Sequence, residues 1–454
     1  MTSPAGGEAS RARTLVEEAY SREKDANLRK AAASFRSVMS TDLDDKIKWL
    51  ERSDLKRKEN QASLAEAKGQ KDLAAGREKQ AEANFRRAIS LREGTTSSGA
   101  GLNNIALCYL GLFAATGGPQ DYRKAAQMLQ RALAMRPSDS VLLENTADTL
   151  SNCAVLDVTE KRFDFQALRV SPGSSLLAFL YVDEASYRRV VGELEGRESA
   201  KRAVSCFKKL VLLAPKNPAG YAALHGVYTM RRDADALADL KSRVEKAGVD
   251  LQAHIREFKE GFSGRRDGKR REYIDGQMSK FKSVIKALPA DCSKETRAVA
   301  ASNLLRIELA AGPLLARRID ADDLVSRAER AYADCRCAAT RGDLAGALAY
   351  RISEGLRGKS PAYARMFQRS RRGLACTHIL VMSLEQNPEL VKLAAGSPDV
   401  RRLIQIQDED LEAFPDRCSP YDWAFYRCFK PETAEKVKAV ILKDRARQLS
   451  TEIE

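Results

Sequence analysis

The chain has 454 residues, 77 of them Lys or Arg and 62 Asp or Glu, with a net charge of +15 and 44% hydrophobic content. That length and apolar fraction exclude a wholly disordered polypeptide and suit two or three domains or one extended array. Aromatic residues are only 6% of the chain, and Val, Ile and Thr rarely alternate with polar residues, which excludes a β-rich core.

Ala, Leu, Arg, Lys and Glu recur throughout, so the predicted fold class is all-α. Basic residues mostly alternate with Glu and Asp, as in LKRKENQASLAEAKGQKDLAAGREKQAE, and read as solvated helix faces. Nine scattered cysteines, odd in number, do not make a secreted disulfide framework. The first residues, MTSPAGGEASRARTL, lack the apolar core of a secretory signal. The longest apolar stretches, 102–115 and 298–316, are too short or are broken by Arg306 and Glu308, so no membrane span is expected. A cytoplasmic, reducing compartment is the expectation.

In chain order, residues 1–10 are Gly-, Ser- and Ala-rich and are expected to be disordered. An N-terminal helical segment over 11–60 follows, with Leu15, Ala19, Leu28, Ala31, Phe35 and Val38 as its apolar stripe. Thr41, ahead of several carboxylates, reads as an N-cap. The next helical pair runs from about Gln61 to Leu91. A second pair spans Gly101–Pro137, joined by a predicted loop at Ala114–Gln120. Ser138 or Asp139 then caps a helix carrying Leu142, Leu143, Ala147 and Leu150.

Residues 155–175 lose clean periodicity and read as an excursion over one face. Helix resumes at Leu176–Val191, and Ala203, Phe207 and Leu210 mark a further helix closed by Pro215. The interval from Pro137 to Pro215 suits two somewhat enlarged repeats. Asn217-Pro218 reads as an N-cap with Pro at the first helical position, opening a helix with Tyr221, Leu224 and Tyr228. FSGRRDGKRR marks a basic, Gly-containing linker at 262–272. Over 273–454 the pattern stays helical, with starts at Ser360-Pro361, Asn387-Pro388, Ser397-Pro398 and Ser419-Pro420 and a last charged helix at Glu432–Ile453.

The clearest element is Gly101–Pro137. Asn104, Ile105, Ala106 and Tyr109 mark its first helix, and Ala125, Leu129, Ala132 and Pro137 its second. This resembles the tetratricopeptide repeat (TPR), in which a small residue and a Tyr lie on helix A, Ala-x3-Phe-x2-Ala on helix B, and a Pro closes the unit. Gly69, Gly76, Ala81, Phe85 and Ala88 fall at the corresponding small, turn and helix-B positions of the preceding pair. The resemblance covers roughly 61–255 and implies a right-handed αα superhelix, a TPR-like solenoid, with additional C-terminal helices over 273–454 that can be read as degenerate repeats. One hairpin cannot cover its own apolar face, so each leans on a neighbour.

The resemblance also implies a non-catalytic scaffold or adaptor that binds a peptide or helix of another protein in a concave groove. Asn104 and Asn145 each lie two residues before the small residue of their helix A, where a carboxamide can both donate to and accept from a peptide backbone. Tyr109 and Tyr228 are assigned to the same contact. The alternative is nucleic-acid association through two basic clusters, Arg265, Arg266, Lys269, Arg270 and Arg271, and Arg365, Arg369 and Arg372. For the first, a solvated linker is the favoured reading, since no aromatic platform or nucleic-acid motif accompanies it.

No catalytic set, metal site or cofactor is expected. Cys335 and Cys337 with Cys418 and Cys428 lack a zinc-knuckle spacing and read as buried or idle thiols. Cys376 and His378 point about 200° apart on a helix. The run Asp408, Glu409, Asp410 and Glu412 reads as a helix start or a solvated face, and GLFAATGG lacks the Lys-Ser/Thr of a P-loop.

Overall fold

A computed structural model describes residues 43–53, 57–168, 174–251, 254, 267–315, 319–369, 376–416, 418 and 420–453, and among these there is helix and no strand. The predicted N-terminal stripe, Thr41 and residues 1–10 lie outside them. The chain divides into two compact units, Met1–Pro137 and Ser138–Glu454.

The first unit contains α1 (Leu43–Arg52), α2 (Lys58–Ala74), α3 (Glu78–Glu93), α4 (Gly99–Thr116) and α5 (Pro119–Met135). α2 pairs with α3 and α4 with α5, while α3 also packs on α4 and α2 touches α4. The turn between α2 and α3 places Gly76 at φ +70, a conformation that a residue with a Cβ rarely adopts. Phe85 of α3 explains the close approach of the pairs. Its ring is where a Cβ on Gly69 would lie at 3.1 Å and where one on Gly111 would lie at 2.5 Å. Two helices therefore meet one aromatic ring because each offers it a glycine.

The predicted loop at Ala114–Gln120 is shorter than expected. α4 continues to Thr116, Gly117 takes the left-handed cap conformation at φ 72, and Pro119 already opens α5. A left-handed glycine followed by Pro at the first helical position reverses the chain in minimal length.

A buried cation holds the first unit together. Arg92 is 1% exposed. Its Nη1 lies 2.7 Å from Glu66 Oε2 and its Nε 3.1 Å from Glu59 Oε1, both on α2. Nη2 donates to Ser63 Oγ at 3.2 Å, and Nη1 also reaches Cys108 Sγ on α4 at 3.0 Å. Desolvating a guanidinium is tolerable only with such partners on most of its donors.

In the second unit α6 (Ser140–Thr159) begins at the predicted cap. Asp139 Oδ1 accepts from the backbone N–H of Val141 at 3.1 Å and of Leu142 at 3.2 Å. Its packing partner is not the next segment but α10 (Glu198–Leu213), reached after residues 160–197. The interval between Pro137 and Pro215 thus holds one helical pair with an insertion, not two enlarged repeats.

The insertion contains α7 (Phe165–Leu168), α8 (Ser174–Leu177) and α9 (Glu184–Gly196), so the helix predicted at Leu176–Val191 is broken and shifted. Its aromatic residues are core. Phe163, Phe165, Leu168 and Phe179 are buried, and the rings of Phe163 and Phe179 meet edge-on at 6.1 Å. The N–H of Asp164 donates to Thr296 Oγ1 at 3.1 Å, tying the insertion to the C-terminal helices. α11 (Pro218–Arg231) and α12 (Ala234–Ala247) form the next pair, capped as predicted by Asn217, whose Oδ1 accepts from Ala219 N–H at 3.0 Å.

The remaining helices are α13 (Asp267–Ala287), α14 (Lys294–Leu315), α15 (Ala321–Asp334), α16 (Ala338–Lys359), α17 (Pro361–Arg369), α18 (Cys376–Gln386), α19 (Pro388–Ala395), α20 (Pro398–Ala413), α21 (Pro420–Phe429) and α22 (Pro431–Ile453). Four begin at the predicted prolines. Asn387 Oδ1 and Ser397 Oγ accept from N–H groups of their first turns at 3.1 and 3.3 Å. Ser419 lies outside the described residues. α16 is surrounded by α14, α15, α17, α18, α19 and α20. Leu344, Ala347, Leu348 and Ile352 of α16 anchor the apolar core, while its buried Asp343 pairs with Arg306 Nε at 3.1 Å.

Candidate partner-binding helices

Asn104 sits on α4, the most apolar helix of the first unit. By length and composition α4 could cross a membrane, with a mean hydropathy of 1.2, and 50% of that span is buried. The buried side, including Ile105, Ala106, Tyr109 and Leu112, joins the core with Phe85 and Leu129. The other side carries Asn104, Leu107 and Ala114, at helical spacings and at least partly exposed, while Leu110 flanks the core and Gly111 faces Phe85. Leu107 is 37% exposed. This stripe combines a carboxamide with aliphatic groups on a rigid helix.

Tyr109 lies on the buried side. It is 9% exposed, its hydroxyl donates to Glu93 Oε1 at 2.9 Å, and Lys124 Nζ stands 5.5 Å from its ring centroid. Burial, and then the bond to Glu93, push its phenol up to about 12, so it stays neutral.

In the second unit Asn145 is half-buried on α6 and engaged within the fold. Beside it, Glu144 Oε2 accepts from Asn217 Nδ2 at 3.2 Å, joining α6 to the start of α11. Tyr228 is buried on α11 together with Tyr221 and Leu224. Asn104 and Tyr109 belong to one unit, Asn145 and Tyr228 to the other.

Of the basic clusters, Arg365 is exposed on α17. Arg265, Arg266 and Arg372 lie outside the described residues, as do the side chains of Lys269, Arg270, Arg271 and Arg369; residues 267–272 open α13. The side chains of Cys376 and His378 are also outside. Cys335 and Cys337 are buried, and Cys418 and Cys428 half-buried. Among the described residues no cluster of His, Cys, Asp and Glu could hold a metal ion.

Two sets of side chains escaped the sequence reading. Arg92 passes for a solvated residue in a charged run, although it continues the Ala81, Phe85, Ala88 stripe by one further turn. The acidic run at 408–412 lies on the last turns of α20, not at a helix start. Asp408 accepts from Tyr426 Oη at 3.0 Å and from Lys430 Nζ at 2.9 Å, and Glu409 accepts from the Tyr332 hydroxyl.

The packing of α2 to α5, with an aromatic residue of one helix B lodged between glycines of two successive A helices, decides the fold type. These helical pairs are TPR-like. No protein-family model and no curated protein sequence matches the chain. Among solved structures, it aligns with the C-terminal part of a TPR repeat-containing protein from Cytophaga hutchinsonii at 12% identity, covering 67% of this chain and 98% of that one, with a TM-score of 0.18. A human IFIT1 dimer with m7Gppp-AAAA aligns at 12% identity over 98% of this chain and 95% of that one, with a TM-score of 0.22. Yeast Tom70 aligns at 12% identity over 97% and 94% of the respective chains, with a TM-score of 0.18.

Proposed function

We propose that this protein is a non-catalytic interaction scaffold that binds a peptide or helix of another protein, and that the open stripe of α4 is part of the docking surface. The observation that carries this reading is the mismatch between the composition of α4 and its burial. A helix this apolar usually disappears into a core, whereas α4 keeps Leu107 37% exposed, with Asn104 one turn away. An extended peptide or an apolar helix face would cover Leu107, while Asn104 would donate to and accept from a partner's polar groups. Asn145, on the equivalent helix of the second unit, is half-buried and already engaged within the fold, and is left out of the docking surface.

The test is selection of binding peptides from a random library by the full chain, followed by affinity measurement against Asn104→Ala and Leu107→Asp. Each substitution should weaken binding about tenfold or more, as loss of a central contact does. Peptides that bind both variants as tightly as the parent would refute the assignment. Nucleic-acid binding that falls steeply with salt, with no peptide selected, would favour the basic-cluster alternative instead.

A further inference from the structure

The outer face of α10 departs from the polar composition of a solvated helix side. Its last turn reads LVLL over residues 210–213. Leu210 and Val211 fill the core, whereas Leu212 is 71% and Leu213 47% exposed. α6 runs antiparallel beside it, since Ser151 and Ala154 line the same small cavity as Ala203 and Phe207, while Glu144 meets Asn217. The start of α6 therefore stands at the same end of the pair, and there Val141 is 59% exposed. Pro215, in the loop after α10, is a further exposed apolar residue.

The charge around these side chains is of one sign. Lys208, Lys209 and Lys216 are exposed, and no carboxylate among the described residues pairs with them. No Asp or Glu occurs from Ser199 through Arg232. Asp139 and Glu144, at the start of α6, are occupied within the fold: Asp139 Oδ1 caps the helix and Glu144 Oε2 accepts from Asn217.

The spacing decides how the two features act together. Lys208 lies four residues before Leu212, and Lys209 four before Leu213. Each lysine thus shares a helix face with one leucine and sits one turn, about 5.4 Å, behind it along the axis. With the end of α10 foremost, the leucines lead and the ammonium groups follow, a stagger that matches apolar insertion about 5–10 Å into the boundary between headgroups and acyl chains. A folded protein partner suits the patch less well. Stable protein interfaces bury roughly 800 Å² on each side, and a few apolar side chains at one end of a helical pair supply only a fraction of that. A bilayer needs no more than this, because binding grows with the apolar area inserted and with each cation brought near anionic headgroups.

We propose that the end of α10, with the start of α6, docks on an anionic lipid surface, into which Leu212, Leu213 and Val141 insert while Lys208, Lys209 and Lys216 meet the headgroups. The contact is peripheral, and it is independent of the α4 stripe.

The experiment is sedimentation of the full chain with vesicles of phosphatidylcholine alone and of phosphatidylcholine mixed with phosphatidylserine. The mixed vesicles should bind it at least about tenfold more tightly, because only they attract the lysines. Lys208→Gln/Lys209→Gln/Lys216→Gln should lose about fivefold in affinity for each lysine removed. Removing as many charges from exposed lysines elsewhere, in Lys79→Gln/Lys161→Gln/Lys286→Gln, should cost much less. Leu212→Ser/Leu213→Ser alters only exposed side chains, so it should weaken binding to the mixed vesicles about tenfold or more with an unchanged circular dichroism spectrum. Equal binding of the parent chain to both kinds of vesicle, or binding to neither, overturns the proposal, and this comparison depends on no variant folding. Equal losses from the two lysine triples also overturn it, since the net charge of +15 would then suffice. Binding of polyglutamate with no vesicle bound would assign the patch to an acidic polypeptide, and overturns it likewise.

Discussion

Gly111 offers a sharp test of how the helical pairs lock together. Glycine inside a helix costs about 1 kcal/mol relative to alanine, so Gly→Ala at an unobstructed site should stabilise the protein by about that amount. At Gly111 the added methyl would fall 2.5 Å from two ring carbons of Phe85, far inside ordinary contact. The ring cannot swing aside freely, because the Gly69 position faces it at 3.1 Å and Phe85 is buried. Overpacking of this kind costs typically 1–3 kcal/mol, and a contact as short as 2.5 Å belongs at the upper end, so after the helix gain of about 1 kcal/mol Gly111→Ala should destabilise by about 2 kcal/mol. Urea unfolding of the full chain followed by circular dichroism measures it. Gly226→Ala on α11, where nothing lies within 4 Å, is the control and should gain up to about 1 kcal/mol. Phe85→Leu opens the space, so the double variant with Gly111→Ala should be less destabilised than the sum of the singles, by about 1 kcal/mol. Stabilisation by Gly111→Ala, or strict additivity with Phe85→Leu, would refute the packing account.

Further outcomes follow from individual contacts. Arg92→Met should cost about 3–5 kcal/mol in urea unfolding, because it strips the nearly buried Glu66 of its partner; Arg92→Met with Glu66→Gln should recover part of the loss. Asp139→Ala should cost about 1 kcal/mol by freeing the first N–H groups of α6. Asp410 gives a pH signature. Its folded-state pKa, about 6, exceeds the ordinary 3.8, so the folded state holds more protons between those values and stability falls as pH rises through them. With 45% of that side chain still exposed, the slope is shallow. Over this window Asp410→Asn should therefore gain stability relative to the parent as pH rises, and a constant or falling difference between the two unfolding curves would contradict the assigned sign.

The parts legible in sequence are those whose cause is local. Glycine at a left-handed turn, Pro at a first helical position and an Asn or Ser cap act within a few residues, so Gly76, Asn217-Pro218 and the proline starts of α17, α19, α20 and α21 could be read directly. The pairing of α6 with α10 was not legible, because the insertion that separates them owes its structure to distant contacts such as Asp164 with Thr296. Phe163, Phe165 and Phe179 follow neither helical nor strand spacing, since they fill a core from turns and very short helices. For the candidate surface, the helix bearing Asn104 was readable from its apolar stripe, yet which of its sides stays open depends on α2, α3 and α5 together. Tyr109 shows the difference: its type suggested a contact residue, and packing turned it toward Glu93.

The account's central claim is that another polypeptide covers the open side of α4. A photo-crosslinking amino acid placed at position 107, with position 87 as an exposed control on α3, tests this most directly in cells expressing the full chain. Mass spectrometry should find a discrete polypeptide joined at 107 and absent at 87. Identical products from both positions, or nucleic acid alone at 107, would contradict it.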